Sequence, residues 1–103
     1  MGMQTDVLVS QPLGADNTFK DQAGNPIGRC RIKAIYGTSG AAAGTVVIYD
    51  GASAAGKCLM TVSTPTAADQ GTFWLLIPGE GVLAQNGLYA DLTNVDSVMV
   101  FYG

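Results

Sequence analysis

Arg29-Cys30-Arg31-Ile32-Lys33-Ala34-Ile35-Tyr36 is the stretch whose reading decides the fold. Cys30, Ile32, Ala34 and Tyr36 alternate with Arg29, Arg31 and Lys33. Period two is the mark of a strand with one buried face and one wet face. Downstream, residues 37–44 read as a loop of small residues. Four further runs rich in β-branched and aromatic residues follow at 45–49, 57–62, 72–77 and 87–92, and a last one at 97–102. A strand about every ten residues, with glycine-rich turns between, predicts an antiparallel sandwich or barrel. Ala41-Ala42-Ala43 and residues 52–55 are too short and too closely flanked by glycine to hold a helix. The expectation is an all-β, jelly-roll-like antiparallel β-sandwich of seven or eight strands over residues 29–103.

Upstream, residues 1–28 carry one apolar run, Val7-Leu8-Val9, amid Pro12, Gly14, Asp16-Asn17, Gly24-Asn25 and Pro26. Turn residues this dense leave room for one strand or an extended arm. Such an arm is expected to be ordered by the domain's own sheet or by a neighbouring subunit. Its anchors are Val7, Leu8 and Val9, with Leu13, Phe19 and Ile27 behind them, and residues 29–103 are expected to fold without it. At the other end, Val98, Val100 and Tyr102 alternate with Met99 and Phe101, all of them apolar. One face of that strand is expected to meet the core and the other a neighbouring subunit.

Composition narrows the function. At 103 residues the chain has room for one domain. Hydrophobic residues make up 48% and charged residues only 13%, against about 25% in ordinary domains. A surface so poor in charge favours an assembled state, with a trimer the favoured oligomer. The net charge of −3 argues against a nucleic-acid binder, which is normally basic. No run approaches the ~20 apolar residues of a membrane helix, and the first residues lack the pattern of a signal peptide. The sequence holds no histidine, hence neither the usual general base nor the commonest metal ligand. Cys30 and Cys58 both fall in strands and are expected to be buried free thiols rather than a disulfide.

Residues 51–57 match the glycine and lysine positions of a phosphate-binding loop. However, Cys58 stands where Ser or Thr would hold magnesium, and a strand follows where a helix is required. The segment reads as a hairpin loop, with Asp50 as its turn residue. The eight acidic residues form no close pair, so neither a glycosidase dyad nor a calcium loop is supported. No catalytic residue, cofactor or metal is therefore assigned. Arg29, Arg31 and Lys33 form a basic row, its members about seven ångströms apart on one strand face. Trp74, Tyr49, Tyr89, Phe73 and Phe101 are expected in the core or at a subunit contact, with a sugar-stacking platform as the alternative. The candidate interface comprises Val7, Leu8, Val9, Arg29, Arg31, Lys33, Met99 and Phe101.

Two longer stretches carry a resemblance: A-G-T-V-V-I-Y-D-G-A-S-A-A-G-K-C-L-M-T-V over residues 43–62, and L-I-P-G-E-G-V-L-A-Q-N-G-L-Y-A-D-L-T-N-V-D-S-V-M-V-F-Y-G over residues 76–103. The hairpin, the I-P-G-E-G turn and the ending resemble small structural proteins of tailed bacteriophages, over about the last three fifths of the chain. The matching residues are turn and strand positions. Gly79 and Gly81 around Glu80 suit a tight turn after Pro78, and Asn86-Gly87 suits a hairpin. The resemblance implies a virion component, foremost a capsid decoration or cement protein bound to the major capsid protein or other virion proteins. A head–tail connector or tail component is the alternative within that class. A host-glycan-binding sandwich module is the alternative outside it.

Overall fold

The computed structural model describes residues 7–66, 68, 71–77, 79 and 81–103. Among them are nine strands: β1 (Leu8–Val9), β2 (Asn17–Thr18), β3 (Cys30–Ser39), β4 (Gly44–Asp50), β5 (Lys57–Thr64), β6 (Thr72–Leu76), β7 (Val82–Ala84), β8 (Tyr89–Thr93) and β9 (Val95–Tyr102). Within these residues no helix is long and apolar enough to cross a membrane. The pairing is nested: β1 with β9, β2 with β8, β3 with β6, and β4 with β5, all antiparallel. Such a chain is a long antiparallel ribbon with the β4–β5 hairpin at its tip. Successive rungs fall in alternate sheets, giving β1-β9-β3-β6 in one and β2-β8-β4-β5 in the other. The pairings β3–β9 and β4–β8 join the windings. This is a β-sandwich with jelly-roll connectivity. The strands beyond the expected seven or eight are short pieces such as β2 and β7, too brief to show a period.

Side chains from both sheets meet in one core. Ile32, Ile35, Val98 and Val100 come from the first sheet, and Val46, Ile48 and Ala90 from the second. Phe19 and Leu88, both essentially fully buried, complete it. The N-terminal segment is thus a layer of the sandwich. Ser10 donates its amide to the Val100 carbonyl (2.9 Å), and its hydroxyl accepts the Val100 N–H (2.9 Å). Leu13 and Val98 exchange backbone bonds of 2.8 and 2.9 Å. Of the expected anchors, Leu13, Phe19 and Ile27 are buried, whereas Val7 and Leu8, expected to lead, are exposed. Removing residues 1–27 would strip Leu13, Phe19 and Ile27 from the core.

Three register shifts interrupt the ladders of the long strands, one at Asp96 of β9 opposite Thr38 and Ser39, and the other two re-aim the side chains that matter here. Between Ile32↔Tyr102 and Ala34↔Phe101 the ladder gains Lys33, which has no partner on β9. A bulge places two residues opposite one and shifts every later side chain to the other face. Ile35 therefore points inward and is fully buried, and Tyr36, expected on the face of Cys30 and Ile32, points outward. The strand then continues through Gly37 where a loop was expected. A Cβ there would lie 2.3 Å from the ring of Phe73, so glycine is what lets that ring cross β3. In β5 the ladder runs from Ile48↔Met60 to Tyr49↔Cys58, leaving Leu59 as the extra residue. Cys58 is thereby turned outward and is exposed, correcting the expectation of two buried thiols.

The connections differ from the sequence reading in one respect. Asn86-Gly87 does not close a hairpin; it carries the chain from β7 in one sheet to β8 in the other, with Gly87 at φ 141°. Gly79 and Gly81 have φ of 71° and 88°, as a tight turn requires, while Pro78 and Glu80 lie outside the described residues. Asp50 does more than end β4. Its carboxylate accepts the backbone N–H of Asn86 at 2.7 Å and that of Gln85 at 3.1 Å. It thus ties the hairpin at the ribbon's tip to the crossing that leads into β8.

Truncating Phe19 to alanine is expected to cost about 3–5 kcal/mol in urea unfolding, whereas Leu8→Ala should change stability by less than about 0.5 kcal/mol. Equal costs would refute the placement of the two residues. The N–H groups of Asn86 and Gln85 hold the Asp50 carboxyl below its ordinary value of 3.8 against an opposing desolvation effect, with smaller help from Gly87 and Lys57. A depressed carboxyl contributes stability above its unfolded pKa and loses it as pH falls through the folded one. Asp50→Asn should therefore be less stable than the parent at pH 7. The gap should close on acidification below 3.8. Thermal melts at neutral and strongly acid pH measure this directly, and a pH-independent gap would contradict it.

Candidate docking face

The outer face of the first sheet is where the apolar side chains left over from the core collect. After the Lys33 bulge, β3 shows Ala34, Tyr36 and Thr38 on this side. Register sets Leu76 and Trp74 of β6 beside Ala34 and Tyr36. On the other flank, Phe101 and Met99 of β9 stand opposite the same two residues, and Val9 of β1 stands beyond Phe101. The rings of Tyr36 and Trp74 are 6.2 Å apart and tilted by 60°. Trp74 meets Phe101 edge to face at 5.7 Å and 71°. Aromatic pairs favour such geometries, so the three rings form a fixed ladder across three strands.

Yet the ladder is not covered. Trp74 is 57% exposed, Leu76 66% and Tyr36 37%. Beside it lies an apolar hollow of about 300 Å³, floored by Ala34, walled by Trp74, Leu76 and Phe101, and rimmed by Val7 and Lys33. Ala34 is buried although it faces outward, because the larger residues on both sides shade it. A bigger residue at this position would fill the hollow. Singly exposed apolar side chains are ordinary, but a contiguous aromatic group of this kind is the mark of a contact surface.

The residues singled out in the sequence are partly gathered here. Val7, Lys33 and Phe101 line the hollow, and Met99 lies next to Tyr36 in register. Val9 is at the edge of the same face, while Leu8 points the other way, over Tyr102. The basic row is split. Lys33 belongs to the apolar hollow, whereas Arg29 lines a separate one with Asp21, Cys30, Tyr102 and Gly103. Arg31 runs beside Leu83 of β7 and exchanges backbone bonds with Gly103 at 2.9 and 3.0 Å. Of the five aromatic residues expected in the core or at a contact, Phe73 is in the core. Tyr49 and Tyr89 pair on the second sheet at 6.4 Å, both half-buried. Residues 51–56 form the β4–β5 turn, and Lys57 opens a strand. Among the described residues no group of three His, Cys, Asp or Glu side chains could hold a metal ion.

Tyr36, Leu75 and Leu76 escaped the sequence reading. The signal for the leucines was available: Phe73-Trp74-Leu75-Leu76-Ile77 is apolar without alternation, so both faces of that strand are greasy. No signal announced Tyr36, since nothing in the residue order marks Lys33 as a bulge.

The fold and this face describe a jelly-roll domain with an exposed aromatic face on its first sheet. Comparison of the chain with protein-family models, with curated proteins and with solved structures finds no match.

The thiols provide a check on the bulge in β5. Both cysteines are free, Cys30 buried and Cys58 exposed. Burial, with a smaller push from the Asp50 charge, raises the Cys30 thiol to about 11. One thiol per native chain should react promptly with an aromatic disulfide reagent at pH 8, and the second only on unfolding. Cys58→Ser should abolish the prompt reaction. Two prompt thiols would place the bulge wrongly.

Proposed function

We propose that this chain is a structural component of a phage virion, foremost a capsid decoration or cement protein, attached through the outer face of its first sheet. The observation that carries the reading is the exposed ladder Tyr36–Trp74–Phe101 with the hollow beside it. An uncovered aromatic face on a charge-poor domain fits a protein that works attached, and large rings are the usual anchors of such contacts. The turn and strand residues over 43–62 and 76–103 resemble those of phage structural proteins, which supports the same reading. Jelly rolls also serve as capsid domains. Because one fold hosts many functions, the face bears the argument and the fold only permits it.

A second reading rests on one feature of that face. The Trp74 ring stands exposed next to Tyr36, as stacking against a sugar would require. Glycan-binding jelly rolls use such rings, so a host-surface glycan is the alternative ligand.

Mass spectrometry of purified particles separates the structural roles. Hundreds of copies are expected for decoration, and about a dozen or fewer for a connector or tail part. Phe101→Asp should lower occupancy on decoration-free particles at least tenfold, about 1.4 kcal/mol, without altering the unfolding curve. Unchanged occupancy would rule this face out as the attachment surface. A saturable signal on a glycan array that is lost in Trp74→Ala would favour the glycan reading instead.

A further inference from the structure

The first sheet ends on one side at β6, with β7 following on the same edge of β3 after Pro78 in the chain, and over Thr72–Leu76 that edge lacks the devices by which sheet edges are normally kept from pairing. Natural edges are short, bulged, interrupted by proline or charged. The opposite edge of the same sheet is β1, two residues long, followed by Ser10 and Pro12. In the second sheet, β2 is two residues long, and β5 begins at Lys57 and carries the Leu59 bulge. By contrast, β6 pairs with β3 through five consecutive residues without a register shift. Thr72-Phe73-Trp74-Leu75-Leu76 contains no charge and no proline.

The ladder also shows which backbone groups face outward. Ile77 donates to the Lys33 carbonyl at 3.0 Å, and Gly71 accepts from Ser39 at 2.9 Å. In an antiparallel pair alternate residues bond the neighbour, so Phe73 and Leu75 complete that set. The N–H and C=O groups of Trp74 and Leu76 therefore point to the open side, where no described strand pairs with them. Leu75 adds an independent observation. Its side chain is on the core side of the sheet, in register with the buried Ile35, yet it remains 37% exposed. Among the described residues the sandwich is open along this edge.

We infer that β6 pairs antiparallel with β6 of a second copy of this chain, about a two-fold axis through Leu75. The strand is self-complementary in that register. Trp74 and Leu76 of one copy exchange backbone bonds with Leu76 and Trp74 of the other, so the outward groups of these two residues are used. Leu75 faces Leu75 of the second copy in the closely spaced, non-hydrogen-bonded position and extends the core across the junction. On the outer face, the indole of each Trp74 lies opposite Leu76 of the other copy, an aromatic–aliphatic cross-strand pair. Because the strand carries no charge, the two-fold sets no like charges against each other. An isologous contact of this kind closes at two copies. The contact is narrow beside the ~800 Å² per partner of a standard interface, so its dissociation constant is expected on the order of micromolar. None of this depends on what particle, if any, carries the chain.

Sedimentation velocity on the full chain from about 1 to about 100 µM, spanning the range in which a micromolar contact fills, tests the inference. The parent should shift from monomer to dimer, and hydrogen exchange should show the Trp74 and Leu76 amides slowing as it does. Leu76→Pro removes an outward N–H and no bond to β3, and an edge strand accepts proline in that position. Leu75→Lys sets two like charges opposite each other across the axis. Each should weaken the dimer at least tenfold, while Leu8→Lys, on the opposite edge, should leave it unchanged. If Leu76→Pro fails to fold, Leu75→Lys and the exchange rates still decide. A parent that stays monomeric, forms a trimer, or loses association in Leu8→Lys but not in the β6 variants would overturn the proposal.

Discussion

The pairing of β9 with β3 is the constraint on which the rest of the structure hangs. It places the last strand of the chain in the middle of the first sheet, between β1 and β3. Val98 and Val100 reach the core only from that position, and β1 and Ser10 have an edge to bond only once β9 is there. The segment containing Leu13 and Phe19 is held by the same strand and by β8, which the one-residue link Asn94 joins to β9. Asn94 takes φ 54° to make that link, a conformation asparagine tolerates better than most residues. Because the ribbon is nested, the outermost pair joins residues more than ninety positions apart. Such a topology folds slowly, since loop-closure entropy must be met before the distant contacts form.

The register of that pairing also decides what the surface looks like. Strict alternation along β3 would have sent Tyr36 inward with Ile32, and Ile35 out to solvent. One unpaired residue, Lys33, exchanges them. The core gains a branched aliphatic side chain that packs well against Val100, and the outer face gains a ring beside Trp74. A bulge in β5 makes the equivalent exchange around Leu59, which packs against the core while Cys58 turns to solvent. In both strands a lone inserted residue converts an ordinary amphipathic ribbon into one whose two halves bury opposite parities.

This is why the architecture was legible in the sequence and the contact face was only half so. Turn spacing and β-branched runs do not depend on register, so the all-β sandwich could be read from them. Phe101 and Met99 were visible because simple alternation holds along β9 from Ser97 to Tyr102, its one register shift falling upstream at Asp96. Tyr36 was hidden because bulges follow from pairing, which a single strand's sequence does not record. The leading weight given to Val7-Leu8-Val9 over Leu13, Phe19 and Ile27 was misjudged for a related reason. Val7-Leu8-Val9 is the most apolar run upstream of residue 29, but depth depends on where a segment lands. Phe19, isolated among polar neighbours, lands between the sheets.

The two unsatisfied surfaces of the first sheet are placed so that using one does not consume the other. The aromatic ladder projects from the sheet's outer face, and the open hydrogen-bonding groups of β6 lie in its plane. A two-fold axis through an antiparallel strand pair is perpendicular to the sheet, so two copies joined at β6 would turn both ladders to the same side. Attachment through one ladder then holds the second close to the same surface. Its binding becomes effectively intramolecular, governed by a local concentration that a rigid junction keeps high. If both proposed contacts form, the face would gain avidity with no new contact, and the edge pairing would be reinforced wherever two ladders are bound side by side. The β6 edge carries no charge and the face only Lys33 at its rim, which accords with the chain's low charged fraction: charge at the centre of either surface would weaken the contact proposed for it.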